Sequence, residues 1–457
     1  MNPPAFVLIV LALSTAATAA LGRRWTFANL MIPFVLLVPQ HLLLSVEGWP
    51  ELTPHRAVLV GMLVGCLISG AAGSLFPRFR ALDWTIVAMI VSFSVSFGLR
   101  TDLKGFFHEL ATLGMDWGLP YIYARAIFKD VASFRALLKP IAVCGCILAF
   151  LSLYEMRMHD RLAANLWGAL AGYPTPDYWL GGGGVRWGFL RAFGPFGHPL
   201  VLATILAAIA PLALCWGWLD KRKRTWSLLA AAFIAIGLLG PVSRGPVLVL
   251  IAVTILSTMA VFRIPAMILT VVIVVVGSLA LANKVEEVWS ATRTDLVLEG
   301  NTDSAKYRAA LLMIYVAEFP KLGWFGNQQV VGAQYEQAWS IDNSFLYMYI
   351  TGGWLGGTLF FGLVIATFVQ GYRRLIRSRG LERKVRVGIM GSFVAMTGCI
   401  ANVWFSPELS GLYLALVALV WNQRASSWYA AIGRPRARPV ARPTATSGAV
   451  VRGASVG

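Results

Sequence analysis

His198-Pro-Leu-Val-Leu-Ala-Thr-Ile-Leu-Ala-Ala-Ile-Ala-Pro-Leu-Ala-Leu-Cys-Trp-Gly-Trp-Leu219 decides the fold. No Asp, Glu, Lys or Arg interrupts it, and a helix needs about 20 consecutive apolar residues to cross a bilayer. Lys221-Arg222-Lys223-Arg224 follows almost at once. Runs of this kind recur at roughly 4–21, 26–45, 57–76, 84–99, 107–128, 140–158, 198–219, 225–241, 246–262, 264–282, 342–370, 387–403 and 407–422. That makes about thirteen spans, give or take about one. Gly and Pro occur inside them, as membrane helices tolerate. The expected fold is an all-α polytopic membrane protein with about 12–14 transmembrane helices.

Composition agrees. The 457 residues are 58% hydrophobic and 13% charged, where a soluble domain carries about 25% charged residues. The net charge of +18 invites nucleic acid as a partner. The arginines are instead bunched between apolar runs and in the tail, as the positive-inside rule arranges them, so no nucleic acid is needed. Arg23-Arg24, Arg78 with Arg80, Lys129 to Lys139, Lys221 to Arg224, Arg373 to Arg386 and the tail fall on one side, which that rule makes cytoplasmic. The five cysteines all lie within apolar runs, which gives neither a disulfide framework nor a zinc set. Met1 to Ala20 ends in Ala17-Thr18-Ala19-Ala20, like a signal-peptide cleavage site. It lacks a basic start and the next run follows at once, so it reads as a retained first span.

The chain divides into N-terminal spans (1–158), a first outer loop (159–197), central spans (198–282), a larger outer loop (283–341), C-terminal spans (342–423) and a basic tail (424–457). The first loop carries Gly181 to Gly184 among aromatics, which suits a hinge or a substrate-gripping loop. In the second, Ser304 to Phe319 places Ala309, Leu312, Met313, Val316 and Ala317 at helical spacing, with Arg308 beside them. Pro320 ends this stretch, and Gly323 and Gly326 supply the turn. An amphipathic helix at the outer surface is expected there. The tail, rich in Arg, Pro, Ala, Ser and Gly, is expected to be disordered and drawn to anionic lipid. No internal repeat is visible.

Five places could carry chemistry. Arg244 stands in the tight turn Pro241-Val-Ser-Arg-Gly-Pro246, at the outer end of a hairpin and against the charge bias. Its planar fork of donors suits a diphosphate, yet an arginine snorkelling to headgroup phosphates reads equally well. Arg191 heads Arg191-Ala-Phe-Gly-Pro-Phe-Gly-His-Pro199, again a cation at a span entry, or else a loop anchor. His198 reads more readily as a helix-entry contact than as a ligand, and no second His at ligand spacing supports a metal site. Arg308 shares a face with Leu312 and could equally be the solvated edge of its helix. Asp342 opens a span, either as an N-cap or as a general base whose pKa desolvation would raise and a nearby arginine would lower. Beyond it, Gly352-Gly353 permits a bend or close packing.

Arg191-Ala-Phe-Gly-Pro-Phe-Gly-His-Pro199, Ser243-Arg244-Gly245, Arg308-Ala-Ala-Leu-Leu312 with Pro320-Lys-Leu-Gly323, and Asp342-Asn343-Ser344-Phe345-Leu346 with Gly353 come in this order. The ordered set resembles the O-antigen ligase and polysaccharide polymerase superfamily, over about Arg191 to Gly362. The resemblance implies a lipid-carrier-dependent glycosyltransferase of the bacterial inner membrane, active on its periplasmic face. It implies that Arg191, Arg244 and Arg308 hold the diphosphate of a polyprenyl-diphosphate-linked oligosaccharide. It implies that Asp342 accepts the proton of an acceptor-glycan hydroxyl, and that His198, Asn343 and Gly353 belong to the substrate site.

Ligases of the superfamily carry a histidine where this chain has Asp342, which favours a polymerase joining repeat units in O-antigen or exopolysaccharide biosynthesis. A ligase passing finished glycan to lipid A-core or another acceptor is the alternative. A flippase or transporter of lipid-linked glycan is the reading of another class. Neither metal nor cofactor is required, since arginines can neutralise the leaving diphosphate. Inversion at the anomeric carbon is implied, and a chain-length regulator is compatible as a partner. Tyr173, Tyr178, Trp179, Trp187, Trp324 and Trp339 suit sugar stacking or an interfacial aromatic belt.

Overall fold

The computed structural model describes residues 3–75, 79–171, 185–186, 188–262, 319–326, 343–401, 403 and 405–422. Helix dominates. We number α1 (Pro3–Leu21), then α2, in which Arg23–Thr26, the π-helical turn Phe27–Met31 and Ile32–Leu37 run on in helical geometry. Next come α3 (Pro54–Ile68), α4 (Ala81–Gly98) and α5, which joins Leu103–Leu113, the π turn Gly114–Gly118 and Leu119–Ile127. They are followed by α6 (Val131–Met158), α7 (Leu162–Ala171), α8 (Pro199–Leu219), α9 (Arg224–Gly237) and α10 (Arg244–Phe262). The set closes with α11 (Ser344–Arg377), α12 (Gly380–Ile400) and α13 (Pro407–Asn422). Six of these (α1, α4, α6, α8, α10 and α11) are long and apolar enough to cross a membrane, as an all-α membrane protein requires.

The run that opens the sequence argument is the central helix. In α8, 89% of the most apolar window is buried, against 11% for α10. α6, α9, α10 and α12 pack around α8, which explains why it is apolar on every face. Close contacts elsewhere use small residues. Gly61 and Gly65 of α3 lie against α1, where a Cβ on Gly65 would stand 2.6 Å from the Thr15 carbonyl. This is Gly-x-x-x-Gly packing, which lets two backbones approach closely.

Several boundaries differ from the sequence expectation. The second run stops being helical at Leu37, because Val38 precedes Pro39 and is extended (φ −108°, ψ 126°). α6 starts at Val131 and not near 140, with the Asp130 side chain accepting from Ser133 N at 2.7 Å. α12 begins at Gly380, within the expected basic loop, where Arg386 pairs with Glu382 at 2.7 Å across one turn. The described part of the first loop is not all coil or helix: Val185–Arg186 pairs antiparallel with Phe189–Leu190. The amphipathic helix expected over 304–319, the span at 264–282 and the tail lie outside the described residues, except that Phe319–Lys321 forms a short 3-10 turn.

The bundle has two distinct ends. At one, Arg24 donates to the Ala132 carbonyl, Arg135 pairs with Asp220 at 2.6 Å, Arg374 donates to the Val420 carbonyl and Arg383 to that of Ala260. The basic stretches at Arg23-Arg24, Lys129 to Lys139 and Arg373 to Arg386 supply these contacts. The opposite end holds the N-termini of α8, α10 and α11, and the candidate site is there.

Candidate functional site

Glu155, in the last turn of α6, is fully buried. Its Oε2 accepts from Phe193 N and Gly194 N at 2.9 Å each, and its Oε1 accepts from Ala163 N at 3.3 Å. Gly194 has φ +58°, a left-handed conformation that lets consecutive amides converge on one carboxylate. Arg161 stands 3.9 Å from Glu155, stacks 3.9 Å over the Phe193 ring and donates to the Arg191 carbonyl. Burial pulls the Arg161 guanidinium below its ordinary pKa, and Glu155 opposes that pull. Glu155 and Arg161 thus fix the loop that delivers Arg191 to the entry of α8.

That loop is bonded to the turn between α9 and α10. Ala192 N donates to the Gly240 carbonyl at 2.9 Å, Arg191 Nε to Pro241 at 3.1 Å and an Arg186 Nη to Val242 at 3.5 Å. The turn is seated by close packing on α6. Ser152 donates to the Gly237 carbonyl at 2.7 Å, and a Cβ on Gly240 would stand 2.4 Å from the Ser152 carbonyl. Arg244 begins α10 two residues after Val242 and is exposed. Arg186 and Arg191 are therefore bonded to the turn from which Arg244 opens α10. Guanidinium donors on a rigid backbone suit a diphosphate, because the planar forks are preorganised and always charged.

The second part of this end is a broken helix. Gly353 interrupts α11 with φ +67° and ψ −166°. Trp354 N donates to the Gly323 carbonyl at 3.2 Å and Leu355 N to that of Trp324 at 3.0 Å, so the segment 319–326 caps the second half of the helix. A Cβ on Gly353 would stand 2.1 Å from Gly326 N. The first half ends on Thr351, whose carbonyl accepts from Arg100 at 2.9 Å and from the Ser96 hydroxyl. Burial lowers the Arg100 pKa. A cation at a helix C-terminus complements the helix dipole.

Asn343 caps α11, its Oδ1 accepting from Phe345 N at 2.9 Å and Leu346 N at 3.1 Å. Capping was the structural role open to Asp342, and it falls to Asn343. His198 likewise caps α8, its Nδ1 accepting from Leu200 N at 3.2 Å. So the structure bonds Arg191 to the turn that leads into Arg244, gives His198 and Asn343 capping bonds, and makes Gly353 the break in α11. Arg308 and Asp342 lie outside the described residues.

Sequence reasoning missed Glu155, Arg161, Arg186 and Arg100. It also missed a buried cluster in which Arg56 holds Asp116 through two bonds of 2.8 and 2.6 Å, beside His55 at 3.3 Å. A charged residue within an apolar run is the signal that marks Glu155 and Asp116, and Arg56 stands directly before such a run. Among the described residues, no group of three or more His, Cys, Asp or Glu could hold a metal. Neither a family model nor a curated protein matches the chain.

Proposed function

We propose that the protein is a polysaccharide polymerase of the bacterial inner membrane, joining polyprenyl-diphosphate-linked repeat units on the periplasmic face. The observation that carries the reading is the bonding of Arg186 and Arg191 to the turn from which Arg244 opens α10. The basic end of the bundle is then cytoplasmic, and the arginine turn and the N-terminus of α11 face the periplasm. In this reading the bond between the anomeric carbon and the carrier phosphate breaks. The arginines stabilise the charge that develops on the leaving diphosphate. The acceptor hydroxyl attacks the anomeric carbon with inversion, and Asp342 takes its proton.

The glycan profile of a deletion strain tests this. Single repeat units without long chains are expected. Long chains stranded on the polyprenyl carrier would instead identify a ligase, with Asp342 acting where ligases carry histidine.

One observation favours a transporter of lipid-linked glycan, namely the break at Gly353. Discontinuous helices form the substrate sites of many transporters. Movement of labelled lipid-linked sugar across reconstituted vesicles, without new glycosidic bonds, would establish that reading.

A further inference from the structure

A cavity of about 480 Å³ opens between α8, α9, α10 and α12, within the roughly 300–1,000 Å³ of small-molecule sites. Its wall is apolar along most of its length, with Leu214, Leu228, Val253 and Val261, and Ala231 and Ala235 leave it open. Thr254 and Thr258 also line it, but each hydroxyl donates to a carbonyl of its own helix at 2.8 Å. With Ser257 and the Trp218 indole as its other uncharged polar side chains, the wall makes few polar demands of an occupant.

Charge is confined to one end. Arg224, the first residue of α9, and Lys384, near the start of α12, line the groove and are exposed at the basic end of the bundle. The slot then follows α9 to Ala235, about 16 Å away at 1.5 Å per residue. Lys221, Arg222 and Lys223 add to the positive field, and the neighbouring Asp220 is already paired with Arg135.

We propose that this groove binds one anionic membrane phospholipid, with its phosphate on Arg224 and Lys384 and an acyl chain along the apolar slot. The pairing of a cationic mouth with a long dry slot matches an amphiphile with an anionic head. The polyprenyl diphosphate of the proposed reaction is not the occupant, because its head belongs to the arginines at the other end. A second copy of this chain is disfavoured by two cations at the mouth and a net charge of +18. The groove and its cationic mouth carry the inference, and only the exclusion of the polyprenyl carrier rests on the glycan reading.

Native mass spectrometry of the full chain in detergent, with phosphatidylglycerol or phosphatidylcholine of equal chain length, tests it. One phosphatidylglycerol should be retained at least tenfold more tightly than phosphatidylcholine. Arg224→Gln with Lys384→Gln should remove the preference, because phosphatidylglycerol loses more than phosphatidylcholine, whose phosphate is already balanced by its own choline. Ala235→Trp should lower retention of both lipids, whereas Leu248→Trp, outside the groove, should not. Equal retention of the two lipids by the wild type, or a preference unchanged in the double variant, would overturn the proposal. So would a lipid-free dimer that Ala235→Trp dissociates, since it would assign the groove to a second copy.

Discussion

Arg191 Nε donates to the carbonyl of Pro241 at 3.1 Å, so the loop that enters α8 is bonded to the turn that opens α10. These two pieces are about 50 residues apart in the chain, and the bond ties Arg191 to the turn from which Arg244 opens α10. The candidate diphosphate site depends on that juxtaposition, and it makes the contribution of each arginine measurable.

Arg191→Lys keeps a cation but loses the planar fork and the Nε bond to Pro241. Arg191→Lys and Arg244→Ala should each slow chain elongation by about 100-fold or more, the loss typical of one preorganised donor at a developing charge. Arg186→Ala should show a smaller loss of the same kind, since its bond to Val242 is the longest of the three at 3.5 Å. Rates are compared at equal protein level in membranes. Full activity in all three variants would remove the arginine turn from the reaction.

Glu155 should act through stability. Glu155→Ala leaves the amides of Phe193, Gly194 and Ala163 without their buried acceptor and Arg161 without its counter-charge. A cost of about 3 kcal/mol is expected for breaking such a buried charged network from one side. Thermal unfolding in detergent should show a clear drop in midpoint. An unchanged midpoint would mean that the loop is held by something else.

The break in α11 separates two glycines on one helix. Gly353→Ala places a Cβ against Gly326 N at a residue with φ +67°, a conformation that costs a side chain on the order of 1–3 kcal/mol. Gly362→Ala meets nothing within 4 Å and should be neutral. Loss of activity in the first, with wild-type behaviour in the second, is the expected pair of results in the elongation assay. Equal activity in both would show that the reaction does not need the break.

Asp342 and Asn343 can be told apart because Asn343 holds both capping bonds. Asn343→Ala should cost about 1 kcal/mol of stability and leave measurable elongation. Asp342→Asn should leave the melting temperature unchanged and abolish elongation, because the amide cannot take the hydroxyl proton at neutral pH. Normal elongation in Asp342→Asn would exclude it as the base.

The helical fold was legible because apolar runs near membrane length are hard to read otherwise. Boundaries were less legible where charge continues a helix. Glu382 and Arg386 pair across one turn of α12, so a stretch that reads as a basic loop is helical. Arg191 and Arg244 could be picked out because each stands at a span entry, Arg244 against the charge bias. Arg186 could not, since its place at the site comes from a carbonyl 56 residues away. The charge of Glu155 inside an apolar run was visible, but its amide partners Phe193 and Gly194 were not, since they lie 38 and 39 residues downstream. Periodicity carries no information about such pairings; only the packing of α6 against the turn after α9 creates them.

The most direct measurement is elongation by the purified protein in vesicles that contain a polyprenyl-diphosphate-linked repeat unit. New glycosidic bonds and released polyprenyl diphosphate are counted together, for the wild type and for Arg244→Ala. The account predicts one diphosphate released per bond formed, and loss of both signals in Arg244→Ala at unchanged protein level. Failure of the wild type to form any bond, or equal rates in the two proteins, would contradict it.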